Sequence, residues 1–247
     1  MEPIVLQKIR SINREFYQTF ADSFAETRGR LQAGVQRLMP MLLRSECILD
    51  LGCGNGELAA TLADQHFKGR YLGIDLSEQM LVIARDALAG HQNYVFTRAE
   101  IGVDELESTI RSTVAAQFHP PYDLLVAFSA LHHIPGSDMR QALVRELHKL
   151  TRKEAKLSIS VWNFLDSDRL RERILPWQTV GLRDSQVEPG DFLIDWRRDG
   201  QGIRYVHHFT EADLANLAKE GDFNVEETFY SDGETGTLGL YQVWTCH

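Results

Sequence analysis

Short apolar runs alternate with amphipathic segments along much of this 247-residue chain. Apolar runs of this length, bounded by turn residues, are typical of buried strands, whereas apolar positions recurring every three to four residues indicate helices. Alternating strands and helices favour an α/β fold with a mostly parallel sheet. The five predicted core strands are 47–51, 70–75, 94–97, 123–128 and 156–162.

The pattern changes on both sides of these strands. Residues 5–43 have a helical pattern, with Phe16, Phe20 and Phe24 on one face, and we expect these rings to pack on the protein rather than to enclose a substrate. After Asn163 the chain is charged and rich in Trp, Pro and Gly as far as Tyr205, which predicts an irregular insertion. A short helix at 211–220 and two strands at 223–230 and 237–245 are predicted to end the chain as a hairpin.

A glycine-rich turn follows the first predicted strand, in the sequence ILDLGCGNGEL. Gly52, Gly54 and Gly56 let the backbone approach a ligand closely, because no Cβ occupies the space. A strand, a glycine turn and a helix in this order are typical of nucleotide-binding α/β domains. Asp50 precedes the turn and would repel a pyrophosphate, so the pattern favours a ligand that carries an amine, such as S-adenosylmethionine.

Acidic residues also follow the next two predicted strands. Asp75 ends the second strand, where a carboxylate can accept hydrogen bonds from ribose hydroxyls. Glu100 lies just beyond the third strand, in a position to read an adenine amine. Right-handed crossovers place a ligand at the carboxyl ends of the strands, so Asp50, Asp75 and Glu100 are predicted to face one site.

With these motifs, residues 46–163 resemble the class I S-adenosylmethionine-dependent methyltransferases. The resemblance implies a Rossmann-like, mostly parallel sheet of seven strands with helices on both faces, an antiparallel last strand and a small insertion after the fifth. It implies that the glycine turn contacts the methionine part of S-adenosylmethionine, that Asp75 holds the ribose and that Glu100 lies near the adenine. The residues assigned to the cofactor site are Asp50, Gly52, Gly54, Gly56, Asp75, Leu76, Met80, Glu100, Ile101 and Phe128.

We divide this single predicted domain into four segments. Residues 1–45 form a helical lid, 46–163 the cofactor-binding core, 164–205 a substrate-side insertion, and 206–247 the helix and hairpin that complete the sheet.

Five further pieces resemble the eukaryotic wobble-uridine tRNA methyltransferases that esterify 5-carboxymethyluridine. They are FAETR, the HH pair at 132–133, SVWN, GDFLIDW and RYVHHFTEADL. The resemblance associates Arg28, His133, Trp162 and Arg204 with the active site. Two departures are an Ile-Asp pair in GDFLIDW, where that family usually has Val-Pro, and Val206 in place of a tyrosine.

These residues predict an oxygen acceptor, most naturally a carboxylate. A carboxylate is ionised at neutral pH and needs no general base, whereas forked arginine donors can hold it. His133 is the histidine expected to face the substrate, where it could act as a base or orient an oxygen. Three alternatives for function stay open: a modified tRNA, a small carboxylate or hydroxyl metabolite, and a non-catalytic protein that senses the cofactor.

Charge and composition limit the partners. The net charge is −9 and the pI about 5.5, whereas an independent tRNA binder usually has a basic face. A small activating subunit is therefore a possible partner. The three cysteines show no C-x-x-C spacing, and we expect no metal site. We also expect no membrane segment and a cytoplasmic location.

Overall fold

The computed structural model describes residues 1–20, 31–197 and 200–246. Its main sheet has seven strands in the order β3-β2-β1-β4-β5-β10-β9, and β10 runs antiparallel to both of its neighbours. The predicted fold class is confirmed. The strands are β1 (Cys47–Leu51), β2 (Arg70–Asp75), β3 (Tyr94–Arg98), β4 (Tyr122–Phe128), β5 (Thr151–Trp162), β9 (Phe223–Ser231) and β10 (Gly239–Cys246).

Helices cover both faces of this sheet, and buried apolar side chains fill each interface. One face carries α2 (Ala33–Leu42), α3 (Glu57–Asp64) and α4 (Glu78–Ala87), and the other carries α5 (Leu106–Thr113), α6 (Ser137–Leu150) and α8 (Glu211–Glu220). The strand order reverses between β1 and β4, which is where α/β proteins bind their ligands. In the described parts of the chain, no helix has the length and apolarity needed to cross a membrane.

The predicted irregular stretch after Asn163 is wrong, because the chain forms a second sheet there. Its antiparallel strands are β6 (Ile174–Leu175), β7 (Asp191–Trp196) and β8 (Gly202–His207), and a four-residue helix, α7 (Asp168–Arg171), precedes them. The last strand runs to His207, two residues beyond the predicted end of the insertion.

The N-terminal segment contains two separate helices within the described residues. Helix α1 (Pro3–Thr19) ends before Phe20, and α2 begins at Ala33. Val5 and Ile9 of α1 are buried against Trp177, Leu193 and other residues of the small sheet. Helix α1 therefore packs on the insertion, although the two are far apart in sequence.

Asp191 joins two strands of the small sheet, and Glu188 attaches that sheet to the core. Asp191 Oδ1 accepts hydrogen bonds from the Tyr205 hydroxyl and from Nδ1 of His207, each at 2.7 Å. Burial, then the neighbouring Asp191, raises the pKa of Tyr205 well above its usual value, so this phenol stays protonated and donates. Glu188, just before β7, accepts hydrogen bonds from Ser137 of α6 at 2.9 and 3.0 Å.

Arg140 extends this contact toward the loop that follows β4. It donates to Glu188 at 2.8 Å and to the carbonyl oxygen of Ile134 at 3.0 Å. Burial alone would raise the pKa of Glu188, but the hydrogen bonds from Ser137 and the charge of Arg140 lower it below its usual value. The insertion is thus joined by charged hydrogen bonds to the loop that carries His133.

Candidate active site

A cavity of about 160 Å³ lies at the carboxyl ends of β1, β2 and β4. Gly52 and Gly54 form one wall, Asp75, Leu76 and Met80 the next, and Glu100 and Ile101 the end beyond β3. His133 lies on the wall beyond β4. Eight of the sequence-predicted residues therefore surround one cavity.

The glycines of the turn have different tasks. All three have positive φ angles, which favour glycine. A Cβ on Gly52 would lie 2.8 Å from Cβ of Ala130, and one on Gly56 would lie 2.8 Å from Cβ of Ala84, so both permit close packing of the protein. A Cβ on Gly54 would meet no protein atom within 4 Å, and Gly54 lines the cavity. Gly54 is the glycine that leaves space for a ligand.

Asp75 links the second strand to the glycine turn. Its Oδ2 accepts a hydrogen bond from the backbone N–H of Gly54 at 2.9 Å, and its Oδ1 accepts one from Ser77 at 2.8 Å. Two backbone N–H groups thus hold the Asp75 side chain in place at the cavity wall. Binding of a ribose by Asp75 remains a prediction.

Three residues assigned to the cofactor site lie off the cavity wall: Asp50, Gly56 and Phe128. Asp50 is buried and accepts a hydrogen bond from the hydroxyl of Tyr71. Burial, then Asp50, raises the pKa of Tyr71 well above its usual value, so the tyrosine remains a donor. Phe128 packs with Tyr241 below the site. The structure thus gives Asp50 a contact inside the sheet.

Helix α1 supplies four cavity residues that the sequence analysis did not identify: Arg10, Asn13, Arg14 and Tyr17. They recur at three- and four-residue intervals, so they share one face of the helix. Arg10 pairs with Glu100 at 2.8 Å and Arg14 pairs with it at 2.6 Å. The carboxylate predicted to lie near the adenine is thus held by two guanidinium groups of α1.

Asn13 fastens α1 to the wall beside β4. Its Nδ2 donates to the carbonyl oxygens of His133 and Tyr205, both at 3.2 Å, and its Oδ1 accepts the Tyr205 backbone N–H at 2.8 Å. Together with the Arg10 and Arg14 ion pairs, these bonds place α1 over the cavity. A lid role for this helix remains a prediction.

The four residues assigned to catalysis are not all brought together. His133 lies on the cavity wall, whereas Trp162 and Arg204 lie off it. Arg204 is buried, and its guanidinium carbon lies 4.2 Å from the ring centre of Trp162 and 5.5 Å from that of Phe16. Phe16 in turn packs edge-on against Tyr17, with ring centres 5.1 Å apart. Arg28, like Phe24 of the N-terminal face, lies outside the described residues.

Cys53, inside the glycine turn, is the other reactive group near the cavity. Burial raises the pKa of its thiol well above the usual value, and the nearby charges of Asp75 and Asp50 raise it further. The thiolate is the nucleophilic form of cysteine. Cys53 is therefore a packing residue and not a nucleophile.

Residues 49–157 match the family described as the methyltransferase domain. The match covers less than half of the chain, which over this segment is similar to a methyltransferase domain. The protein is an enzyme, and its cofactor is S-adenosylmethionine. The matched segment contains the glycine turn, Asp75, Glu100 and His133, and so includes most of the cavity wall described above.

Two relatives and one solved structure illustrate what this chain resembles. The trans-aconitate 2-methyltransferase of Variovorax paradoxus is 28% identical, over 74% of this chain and 78% of the relative. The tRNA (carboxymethyluridine(34)-5-O)-methyltransferase of Xenopus tropicalis is 24% identical over 62% of this chain, which spans only 22% of that protein. The fold is shared with an S-adenosylmethionine-dependent methyltransferase of Methanosarcina mazei, with a TM-score of 0.61, 21% identity, and coverage of 84% of this chain and 96% of that one.

The methyltransferase cavity fits S-adenosylmethionine. Gly54 leaves open space where any other residue would project a Cβ, and Asp75 offers fixed carboxylate oxygens beside it. Since β3 and β2 lie on one side of β1 and β4 on the other, the adenosine would extend toward Glu100, and the methionine part would lie near β4. The methyl group is then expected on the side of His133.

Replacing Asp75 by alanine tests this orientation. We expect Asp75→Ala to weaken S-adenosylhomocysteine binding by about 10- to 100-fold, because each lost hydrogen bond to a charged group costs about 1.5–3 kcal/mol. Calorimetric titration measures the change. Asp86→Ala, at an exposed carboxylate on α4, is the matched control and should bind normally. Equal affinities of the two variants would remove Asp75 from the cofactor site.

Proposed function

We propose that the chain transfers the methyl group of S-adenosylmethionine to a carboxylate oxygen of a small acidic acceptor. The observation that carries the proposal is Arg204, a buried cation on β8. The backbone carbonyl oxygen of its neighbour Tyr205 accepts a hydrogen bond from Nδ1 of His133 at 3.1 Å, so β8 lies against the loop where the methyl is expected. A guanidinium in such a place suits an anion, since its planar fork matches a carboxylate.

The aromatic rings around Arg204 support this assignment. Trp162, Phe16 and Trp196 have ring centres 4.2, 5.5 and 5.6 Å from its guanidinium carbon. Rings at these distances attract the cation and hold its plane, and they exclude water from it. A charge away from water interacts more strongly with an incoming anion. The rings thus fix the plane of the Arg204 guanidinium before an acceptor binds.

Methyl transfer to a carboxylate needs no general base from the protein. When bound, S-adenosylmethionine supplies an electrophilic methyl group on a positively charged sulfur. An ionised carboxylate attacks without losing a proton, so the residues act by positioning the acceptor and excluding water. The two relatives are named for acceptors that carry carboxyl groups, trans-aconitate and carboxymethyluridine, which agrees with this choice.

The net charge of the chain and the share of each relative that it spans favour a small acid over tRNA as the acceptor. The chain has a net charge of −9, which opposes binding to a polyanion. It also spans 78% of the trans-aconitate enzyme but only 22% of the tRNA enzyme. A carboxymethyluridine acceptor is the second candidate, because the motif pieces that include His133, Trp162 and Arg204 occur in the order found in that family.

The test is transfer of a labelled methyl group by the purified protein to a panel of acceptors. The panel contains trans-aconitate, other di- and tricarboxylic acids, 5-carboxymethyluridine, tRNA lacking the wobble methyl ester, and amines. Methyl esters release methanol in mild base, whereas ethers and N-methyl products do not, so base treatment identifies a carboxylate product. Base-stable products alone would overturn the proposal, and activity confined to tRNA would favour the second candidate.

Arg204→Lys sharpens this test, because lysine keeps the charge but loses the planar fork. We expect kcat/KM for the acceptor to fall by about 100-fold, equivalent to about 2.7 kcal/mol, with S-adenosylhomocysteine affinity changed less than about twofold. The matched control is Arg197→Lys on the exposed surface after β7, which should have the wild-type kcat/KM. Unchanged turnover in Arg204→Lys would exclude Arg204 from acceptor binding.

A further inference from the structure

Tyr17 and His133 form a hydrogen-bonded pair on the cavity wall. The hydroxyl oxygen of Tyr17 lies 2.7 Å from Nε2 of His133, and both residues line the cavity. Their rings meet edge to face, with centres 5.3 Å apart. The pair joins helix α1 to the loop after β4, which lines the same cavity as the glycine turn.

The bonding of His133 assigns the direction of this hydrogen bond. Its Nδ1 lies 3.1 Å from the carbonyl oxygen of Tyr205, which can only accept, so Nδ1 carries a hydrogen. In the neutral ring, Nε2 then has a lone pair, and the Tyr17 hydroxyl donates to it. Asn13 binds both the His133 carbonyl oxygen and the backbone of Tyr205, which keeps the histidine in this orientation.

The position of the pair matters because of where the methyl must lie. Asp75 and Glu100 mark the adenosine side of the cavity, and His133 lies on the opposite side, after β4. Ser129 and Ala130, which immediately precede the His133 turn, line the same part of the cavity. A hydroxyl donor here faces the region in which acceptor and methyl group meet.

We propose that Tyr17 is a catalytic residue whose hydroxyl turns from His133 to the bound acceptor and donates a hydrogen bond to it. The inference deepens the proposed function and rests on it, since the acceptor atom must be an oxygen. The hydroxyl binds the carboxylate oxygen that does not attack. The other oxygen bonds to the methyl carbon, the carbon–sulfur bond breaks, and its electron pair stays on sulfur. The attacking carboxylate becomes a neutral ester group and the sulfonium becomes the neutral thioether of S-adenosylhomocysteine, with no proton transferred.

The pair also selects among acceptors. An amine bound as ammonium can only donate hydrogen bonds, so it has no lone pair to accept the Tyr17 hydrogen. A carboxylate has lone pairs that accept that hydrogen. His133 is a positioning residue in this scheme, because it holds the Tyr17 hydroxyl in the cavity before the acceptor enters.

Tyr17→Phe tests the inference, because phenylalanine keeps the ring and its packing on Phe16 but removes the hydroxyl. The assay uses trans-aconitate or, if it is not methylated, the acid of the panel that the wild type methylates. We expect kcat to fall by about 100-fold, as for loss of one oriented donor in a transition state, with S-adenosylhomocysteine affinity within about twofold of wild type. Tyr230→Phe, at an exposed tyrosine on β9, is the control and should have wild-type kcat.

A second variant separates catalysis from anchoring of the helix. Asn13→Ala removes three hydrogen bonds between α1 and the backbone of His133 and Tyr205. Amide hydrogen exchange in residues 3–19 should therefore become faster. Tyr17→Phe should leave that exchange at the wild-type rate. Unchanged kcat in Tyr17→Phe, or a loss of kcat with the same faster exchange as in Asn13→Ala, would overturn the catalytic role.

The failure of this inference is distinguishable from failure of the proposed function. A wild-type product methylated on nitrogen or carbon overturns both, and it is detected before any variant is made. A base-labile ester formed by the wild type, together with full activity of Tyr17→Phe, leaves the proposed function standing and removes only the role of the hydroxyl.

Discussion

Gly54→Val is expected to abolish binding of S-adenosylmethionine and S-adenosylhomocysteine while the fold is retained. The valine side chain would project into the cavity, where no protein atom lies within 4 Å of the added Cβ. Methyl groups in that space would overlap the ligand. We expect the dissociation constant to rise by more than about 100-fold, which corresponds to about 2.7 kcal/mol. Calorimetric titration measures the affinity, and circular dichroism checks the fold.

The control for Gly54→Val must match its backbone strain, because valine at a positive φ is itself destabilising. Gly90→Val serves this purpose. Gly90 also has a positive φ and an open surrounding, but it lies in the turn before β3, away from the cavity. Similar losses of stability in both variants, with loss of binding only in Gly54→Val, would assign the effect to the cavity. Normal binding by Gly54→Val would exclude this turn as the cofactor cradle.

Of the variants proposed here, Asp191→Ala is expected to lower the free energy of unfolding the most. The buried carboxylate accepts hydrogen bonds from Tyr205 and His207, so its removal leaves both of those buried groups without this partner. Breaking a buried charged contact from one side costs about 3–5 kcal/mol. Urea unfolding should therefore show a midpoint well below that of the wild type.

The control for Asp191→Ala lies on the same strand. Asp195 pairs with the exposed side chain of Arg197, and loss of a pair of that kind costs less than about 1 kcal/mol. Asp195→Ala should therefore have a nearly normal urea midpoint. If Asp191→Ala unfolds at the same urea concentration as Asp195→Ala, the contacts of Asp191 between β7 and β8 do not stabilise the small sheet.

The core of the fold was predictable because its signals are local. The apolar run of β1, the glycines after it and the helix after those lie within 18 consecutive residues, 47–64. Each strand end along the sheet brings one acidic residue or loop to the same edge, so Asp75, Glu100 and His133 could be assigned to one side from chain order alone.

The contribution of α1 was not predictable in this way. Arg10 and Arg14 bind Glu100 from 90 and 86 residues away, and no spacing in the sequence indicates that pairing. A signal was present in Asn13, a polar residue within the apolar positions Val5, Ile9 and Phe16 of the helix. A polar group buried among apolar ones requires hydrogen-bond partners, and here they are backbone atoms of β8 and the His133 turn.

The small sheet was missed for a related reason. Its strands are short, β6 being only two residues, and β7 does not alternate strictly between buried and exposed positions. Asp191 and Arg204 are charged residues whose burial depends on partners elsewhere in the chain. The composition of residues 164–205 is therefore typical of a solvated loop, and it does not indicate a sheet.

The contacts of Asn13 with Tyr205 also affect how this protein meets other molecules. Strand β8 ends the order β6-β7-β8, and the outer border of a sheet carries backbone groups that can pair with a strand from a neighbouring molecule. Asn13 offers Tyr205 both an acceptor and a donor, much as an adjoining strand would. A single amide side chain thereby occupies the backbone groups of Tyr205 at this border, in the place that a strand of another molecule would otherwise take.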